Sequence, residues 1–142
     1  MKGTLHLILG TPNSERRSIL SQANTPENPS YLFLLPKGQK VEDSPYSEWE
    51  WSQDQFTFTD FSETSAEEFF LFFSNEINLA DQFEATLHIL EKENELGFGR
   101  VILFINSVLL ANANDQVMGW IDSAGHFADA ICFTHRENQN AA

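Results

Sequence analysis

Disulfides cannot hold this chain together: its 142 residues include one cysteine, Cys132, so the fold must rest on an apolar core. Cys132 is flanked by Ala130, Ile131 and Phe133, a setting that predicts a buried structural thiol rather than a reactive one. Basic residues are scarce. Eight Lys and Arg stand against 21 Asp and Glu, a net charge of −13. From Val41 to Glu91 there is no Lys or Arg, while thirteen acidic residues fall there. Such a field repels phosphate backbones and anionic lipid, which argues against nucleic acid and membrane surfaces as partners. Long apolar runs are missing: no stretch approaches the ~20 residues of a membrane-spanning helix. The N-terminus lacks a secretory pattern, since Lys2 is followed by only a short run ending at Gly10. The expected compartment is the cytoplasm. Internal repeats and low-complexity segments are also absent.

What is present is core material. Hydrophobic residues make up 42% of the chain and aromatics 13%, with thirteen Phe. A chain of this length can bury roughly two-thirds of its unfolded surface, enough for one domain over residues 1–142. Acid in excess also keeps copies of a small protein apart, so the charge by itself requires no basic partner.

Thr4 to Leu9 is a short apolar run and reads as a buried strand closed by Gly10. Thr11 to Ser14 is turn chemistry, and a helix is expected over about Glu15–Ala23, capped by Asn13 or Ser14. The two prolines between Asn24 and Ser30 end it. Tyr31 to Leu35 is a second strand stopped by Pro36. After a loop over Lys37–Pro45, the alternation of Trp49, Trp51, Phe56 and Phe58 with polar residues predicts a half-buried hairpin. Glu67–Phe73 reads as a strand, with a short helix from Ser65 as the alternative. Leu79, Phe83, Leu87 and Leu90 recur at helical spacing and predict a helix over Leu79–Leu96, ended by Gly97 and Gly99. Arg100–Ile105 is the clearest core strand, Asn114–Phe127 a helix, and Ala130–Phe133 the last strand. The tail from Asn138 to Ala142 is expected to fray. Strands alternating with helices predict an α/β fold: three layers, α/β/α, around a mostly parallel sheet.

The chemistry is best read at the first turn. A strand, a glycine, a turn and a helix form the setting of a phosphate-binding P-loop, G-x-x-x-x-G-K-S/T. Here the stretch runs from Gly10 to Arg17. Glu15 stands where the second glycine belongs, Arg16 where the lysine belongs, and Arg17 where the hydroxyl that holds magnesium belongs. Further along, Leu79-Ala80-Asp81 follows a strand, Asn106 follows the core strand, and Ala128-Asp129 and Ile131 precede Thr134-His135-Arg136-Glu137.

In this order the chain resembles the CobW-type metallochaperone GTPase family. Ser18-Ile19-Leu20 is similar to the end of that family's first loop. Leu79-Ala80-Asp81 is similar to its E-T-x-G-L-A-D-P segment, with Asn75 for the Glu and Asn78 for the Gly. Ala128, Asp129 and Ile131 match the start of A-D-x-I-x-x-N-K-x-D, the guanine-reading segment. Thr134, His135 and Glu137 replace its Asn, Lys and Asp, and Asn106 replaces the Asp that ends the core strand. The resemblance implies a P-loop NTPase (Rossmann-like) strand order. The departures fall on the nucleotide positions, and no cysteine follows the second strand where the family's C-x-C-C metal segment belongs. The expected protein is therefore a pseudo-GTPase: no catalytic residue, no cofactor, no metal, and a role in protein binding or assembly. Losing a set of charged hydrogen bonds, each worth ~1.5–3 kcal/mol, removes most nucleotide affinity.

Two candidate sites remain. Gly10, Ser14, Arg16, Arg17 and Ser18 could hold a simple anion at a helix start, the alternative function being a weak nucleotide or anion binder. The plainer reading, two solvated arginines offsetting acid, is favoured. Trp49 and Trp51 share one strand face and could form a partner patch, the partner being a basic protein or a second copy. Equally, they could cover the edge of the sheet or an exposed apolar side of a helix. The last strand is a second place for self-association. An enzyme of another kind is the remaining class. No Ser-His-Asp or Cys-His arrangement is readable, and none of His6, His88, His126 and His135 has metal-ligand spacing. His6 is expected to pack in the core. The neighbouring acids Glu67 and Glu68, and Glu42 and Asp43, are expected to face water.

Overall fold

The computed structural model describes residues 2–23, 30–41, 44–58 and 65–135. The proline-containing segment 24–29, the acid pair Glu42 and Asp43, Arg136, Glu137 and the tail lie outside these. The element order is β1 (Gly3–Gly10), α1 (Arg16–Ala23), β2 (Tyr31–Pro36), β3 (Tyr46–Ser52), β4 (Gln55–Phe58), β5 (Glu68–Phe72), α2 (Leu79–Lys92), β6 (Leu96–Asn106), α3 (Ser107–Ala111), α4 (Asp115–Phe127) and β7 (Ala130–Thr134).

The strands form one seven-stranded sheet in the order β4-β3-β2-β5-β1-β6-β7. Every pairing is parallel except β3 with β4. The fold is thus α/β with a mostly parallel sheet. The central strands are apolar along their length because helices cover both faces. Leu5, Leu7, Leu9, Leu32, Leu34, Phe69, Leu71, Leu103 and Ile105 share one core with Ala85 of α2 and Ile121 and Ala124 of α4. Ile8, Phe33, Leu35, Phe70, Phe72 and Phe104 share the other with Ile19 and Leu20 of α1. Residues alternate between the two cores along β1, β2, β5 and β6, as a period of two requires.

The expected hairpin forms, with a two-residue turn whose Gln53 and Asp54 both have positive φ. That is the turn type whose twist suits a hairpin. It adds to the sheet through β3, which pairs with β2. The region after Ser65 is a strand, β5, and the short-helix alternative fails.

Two boundaries differ from the sequence reading. The helix expected to reach Leu96 ends at Lys92. Glu93 caps it by donating its N–H to Ile89 O, and Leu96 already belongs to β6, beside Gly3. Gly97 and Gly99 are therefore strand residues and do not end the helix. Gly99 sits at an irregularity where the register slips between Leu5 and Leu7. A Cβ at Gly99 would lie 2.4 Å from His6 Nδ1, so only glycine fits beside that ring. His6 is half-buried, stacked on Phe70 at 5.1 Å, and its Nδ1 accepts a hydrogen bond from Arg100 N–H. The second difference is α3, a short helix that the sequence reading left out. Asn106 starts it by accepting from the N–H groups of Val108 and Leu109. Cys132 lies in the terminal strand of the sheet and is half-buried, less covered than expected.

Candidate functional site

In open α/β sheets ligands bind beyond the carboxyl ends of the strands, where the connections diverge. Here β1 leads through α1 to β2 on one side, while β5 leads through α2 to β6 on the other. The point of divergence lies at the end of β1, where the first loop begins.

The loop is built inward. Thr11 donates its N–H to Phe104 O at the end of β6, and its hydroxyl accepts from Asn106 N–H at 2.9 Å. Ser14 is buried and donates its N–H to Thr11 O. Asn13 and Glu15 have φ of 56° and 59°, the left-handed region that costs non-glycine residues energy. Gly10 must be glycine, because a Cβ there would lie 2.6 Å from Ser14 Oγ and 2.8 Å from Arg16 Cδ. The side chains that follow Gly10 therefore fold back over it.

Arg16 closes the site. One guanidinium nitrogen donates to Ile8 O at 2.7 Å, and another donates to Phe73 O at 2.6 Å. The group thus bridges the ends of β1 and β5. It also lies 5.3 Å from the centre of the Phe72 ring, a cation–π contact. Burial, with help from the neighbouring charge of Arg17, pulls its pKa down to about 10, which leaves it cationic at neutral pH. The positive charge is spent on main-chain carbonyls of the sheet.

The other expected anion ligands do not join it. Arg17 donates to Lys40 O at 2.7 Å on the outer side of α1, and Ser18 is exposed. Of the five residues, Gly10, Ser14 and Arg16 come together, with Ser14 buried and the Arg16 guanidinium turned to main-chain carbonyls of the protein. The reading of both arginines as solvated is corrected for Arg16, whose partners are carbonyls at the strand ends.

Asn106 and His135 tie the loop down from the other side. Asn13 O accepts from Asn106 Nδ2 at 3.1 Å and lies 3.2 Å from His135 Nε2. A carbonyl can only accept, so Nε2 carries the proton. The Glu15 carboxylate stands 3.7 Å from the same nitrogen. The residue that follows the core strand therefore fastens the first loop and starts α3.

Gln82 of α2 has the same kind of role. It is fully buried, donates to Ser74 O and Ile77 O, and accepts from Ser74 N–H. Its amide pins the connection from β5 to α2. Sequence reasoning missed Gln82, because a lone amide on an otherwise amphipathic helix carries no pattern.

The tryptophans serve the core. Trp49 is 2% exposed and its indole N–H donates to Phe72 O at 3.1 Å. Trp49 and Trp51 both meet Phe56 edge-on, with centroids 4.8 and 5.1 Å apart. Trp49 thus has no surface to offer a partner, while Trp51 packs against the same core and stays half-buried. Among the described residues, no group of three His, Cys, Asp or Glu is placed to hold a metal ion, and no helix is long and apolar enough to cross a membrane.

No protein-family profile matches the sequence, and neither a curated protein nor a solved structure matches it.

Proposed function

We propose that this chain is a non-catalytic binding or assembly module on a three-layer P-loop-like frame, a pseudo-GTPase whose first loop is closed by its own arginine. The observation that carries the reading is the Arg16 guanidinium, held between Ile8 O and Phe73 O. It stands at the position of the P-loop lysine, which in a working loop reaches the phosphates. Support for the frame comes from the strand arrangement. The strand before the loop lies between β5 and β6, and α1 belongs to one core while α2 and α4 belong to the other.

Each substitution in the loop favours closure over binding. Glu15 brings a carboxylate to a place where phosphate would need an open backbone. Arg17 supplies no hydroxyl for magnesium. Asn106 and His135 occupy the Asn13 carbonyl. The partner on this reading is a protein, either a basic one drawn to the acidic surface or a second copy, and neither nucleic acid nor anionic membrane fits a net charge of −13.

Thermal unfolding with and without millimolar GTP, GDP or ATP, with magnesium, tests this. A nucleotide at a hundred times its dissociation constant would add about 2.7 kcal/mol and raise the midpoint by several degrees. The reading predicts no shift with any of them. A clear rise with one nucleotide would overturn it, and loss of that rise in Arg16→Ala would show that Arg16 is a ligand.

A further inference from the structure

The sheet ends at β7, which pairs only with β6 among the described residues. An end strand presents unpaired N–H and C=O groups and invites a further strand. Proteins usually blunt such an edge with charge or proline. All five residues of β7, Ala130-Ile131-Cys132-Phe133-Thr134, are uncharged, and none is proline. Ile131 and Phe133 pair with Leu103 and Ile105, so they lie on the face that carries α4. They are nevertheless 47% and 44% exposed. On α4 Met118 is exposed as well, while Phe127 turns to α2 to stack on Phe83.

We propose that β7 pairs antiparallel with β7 of a second copy, joining two sheets into one across a two-fold axis at Cys132. The proposal fills in the assembly half of the reading above and rests on that half only. Two properties favour a second copy over a basic protein. First, a partner drawn by charge would seek the acidic surface, whereas this strip is uncharged. It is a place where two chains of charge −13 can meet without setting carboxylates against each other. Second, the strand is self-complementary, as a two-fold interface requires. With Cys132 opposite itself, Ile131 faces the second copy's Phe133 on one side of the sheet, and Ala130 faces its Thr134 on the other. Four half-exposed apolar side chains then close together between the two α4 helices, and aromatic–β-branched pairs of this kind stabilise neighbouring strands. At the ends of the strand the same register brings Asp129 toward the second copy's His135.

Sedimentation equilibrium of the whole chain, from micromolar concentration to ~100 µM, reads the result. A two-chain particle is expected, tightening as salt screens the acidic surfaces. Ile131→Asp together with Phe133→Asp should reduce it to one chain while the thermal midpoint of the monomer stays measurable, since both side chains are already exposed. A short bis-maleimide should join the two Cys132 thiols of the wild type, and Cys132→Ser should abolish the product. One-chain mass at the top concentration overturns the proposal. So does a dimer that survives the double substitution, or one whose thiols cannot be joined. None of these outcomes touches the nucleotide result, which tests the closed first loop separately.

Discussion

Arg16 and Arg17 are adjacent and chemically identical, yet one turns inward and the other lies along the surface. Nothing in the dipeptide distinguishes them. The difference arises because α1 begins at Arg16, whose side chain starts over Gly10 and reaches the ends of β1 and β5. A buried cation of this kind lasts only if its donors are used. Removing it leaves the carbonyls of Ile8 and Phe73 without those donors, although an apolar replacement recovers part of the loss. Arg16→Met is expected to destabilise the protein by about 2–4 kcal/mol, read as a lower midpoint in urea with an unchanged slope. Trp49 shows how far residue type misleads at this scale. A tryptophan on an alternating strand is equally at home in an interface or a core. Its burial is settled by Phe56 and by the Phe72 carbonyl, both distant in sequence or across the sheet.

At the scale of elements, the strands were legible where short segments are rich in apolar residues. Thr4–Leu9, Tyr31–Leu35 and Arg100–Ile105 all lie within observed strands. The end of α2 was not legible, because Glu93, Asn94 and Glu95 carry no helix breaker and the glycines beyond them suggested one. Of the two, Gly99 answers to the His6 ring on the neighbouring strand, a contact between residues 93 positions apart that no local pattern reveals. The first loop was legible as a loop but not as a closed one. Its closure depends on Asn106 and His135, which arrive from β6 and β7. Within the loop Glu15 holds a positive φ that suits glycine. Glu15→Gly is therefore expected to stabilise the fold by about 1 kcal/mol, since relief of left-handed strain outweighs the entropy of the added glycine. Its exposed contact with His135 contributes little. Thermal unfolding of the variant checks this. A fall in midpoint would mean that the Glu15 side chain holds the loop. The same variant restores one glycine of the P-loop pattern, and with Arg16 still in place it should remain silent toward nucleotide.

The whole molecule combines an α/β frame with a net charge of −13. Composition alone excluded a disulfide scaffold and argued against phosphate-rich partners. The period-two division of the strands between two cores was also recoverable from sequence, because the central strands are apolar on both sides. The position of each element in the sheet came from pairing. The adjacency of β1 to β5 and β6 rests on contacts that span most of the chain, and the candidate site exists only where those three strands end. Closure of this site by the protein's own guanidinium group is the feature on which the proposed function turns. It is tested most directly by nuclear magnetic resonance of the arginine side chains, recorded with and without magnesium and GTP. Separate, slowly exchanging guanidinium N–H signals are expected for Arg16, unmoved by nucleotide. A single averaged, fast-exchanging signal like that of a solvated arginine, or a shift of the Arg16 signals on adding GTP, would contradict it.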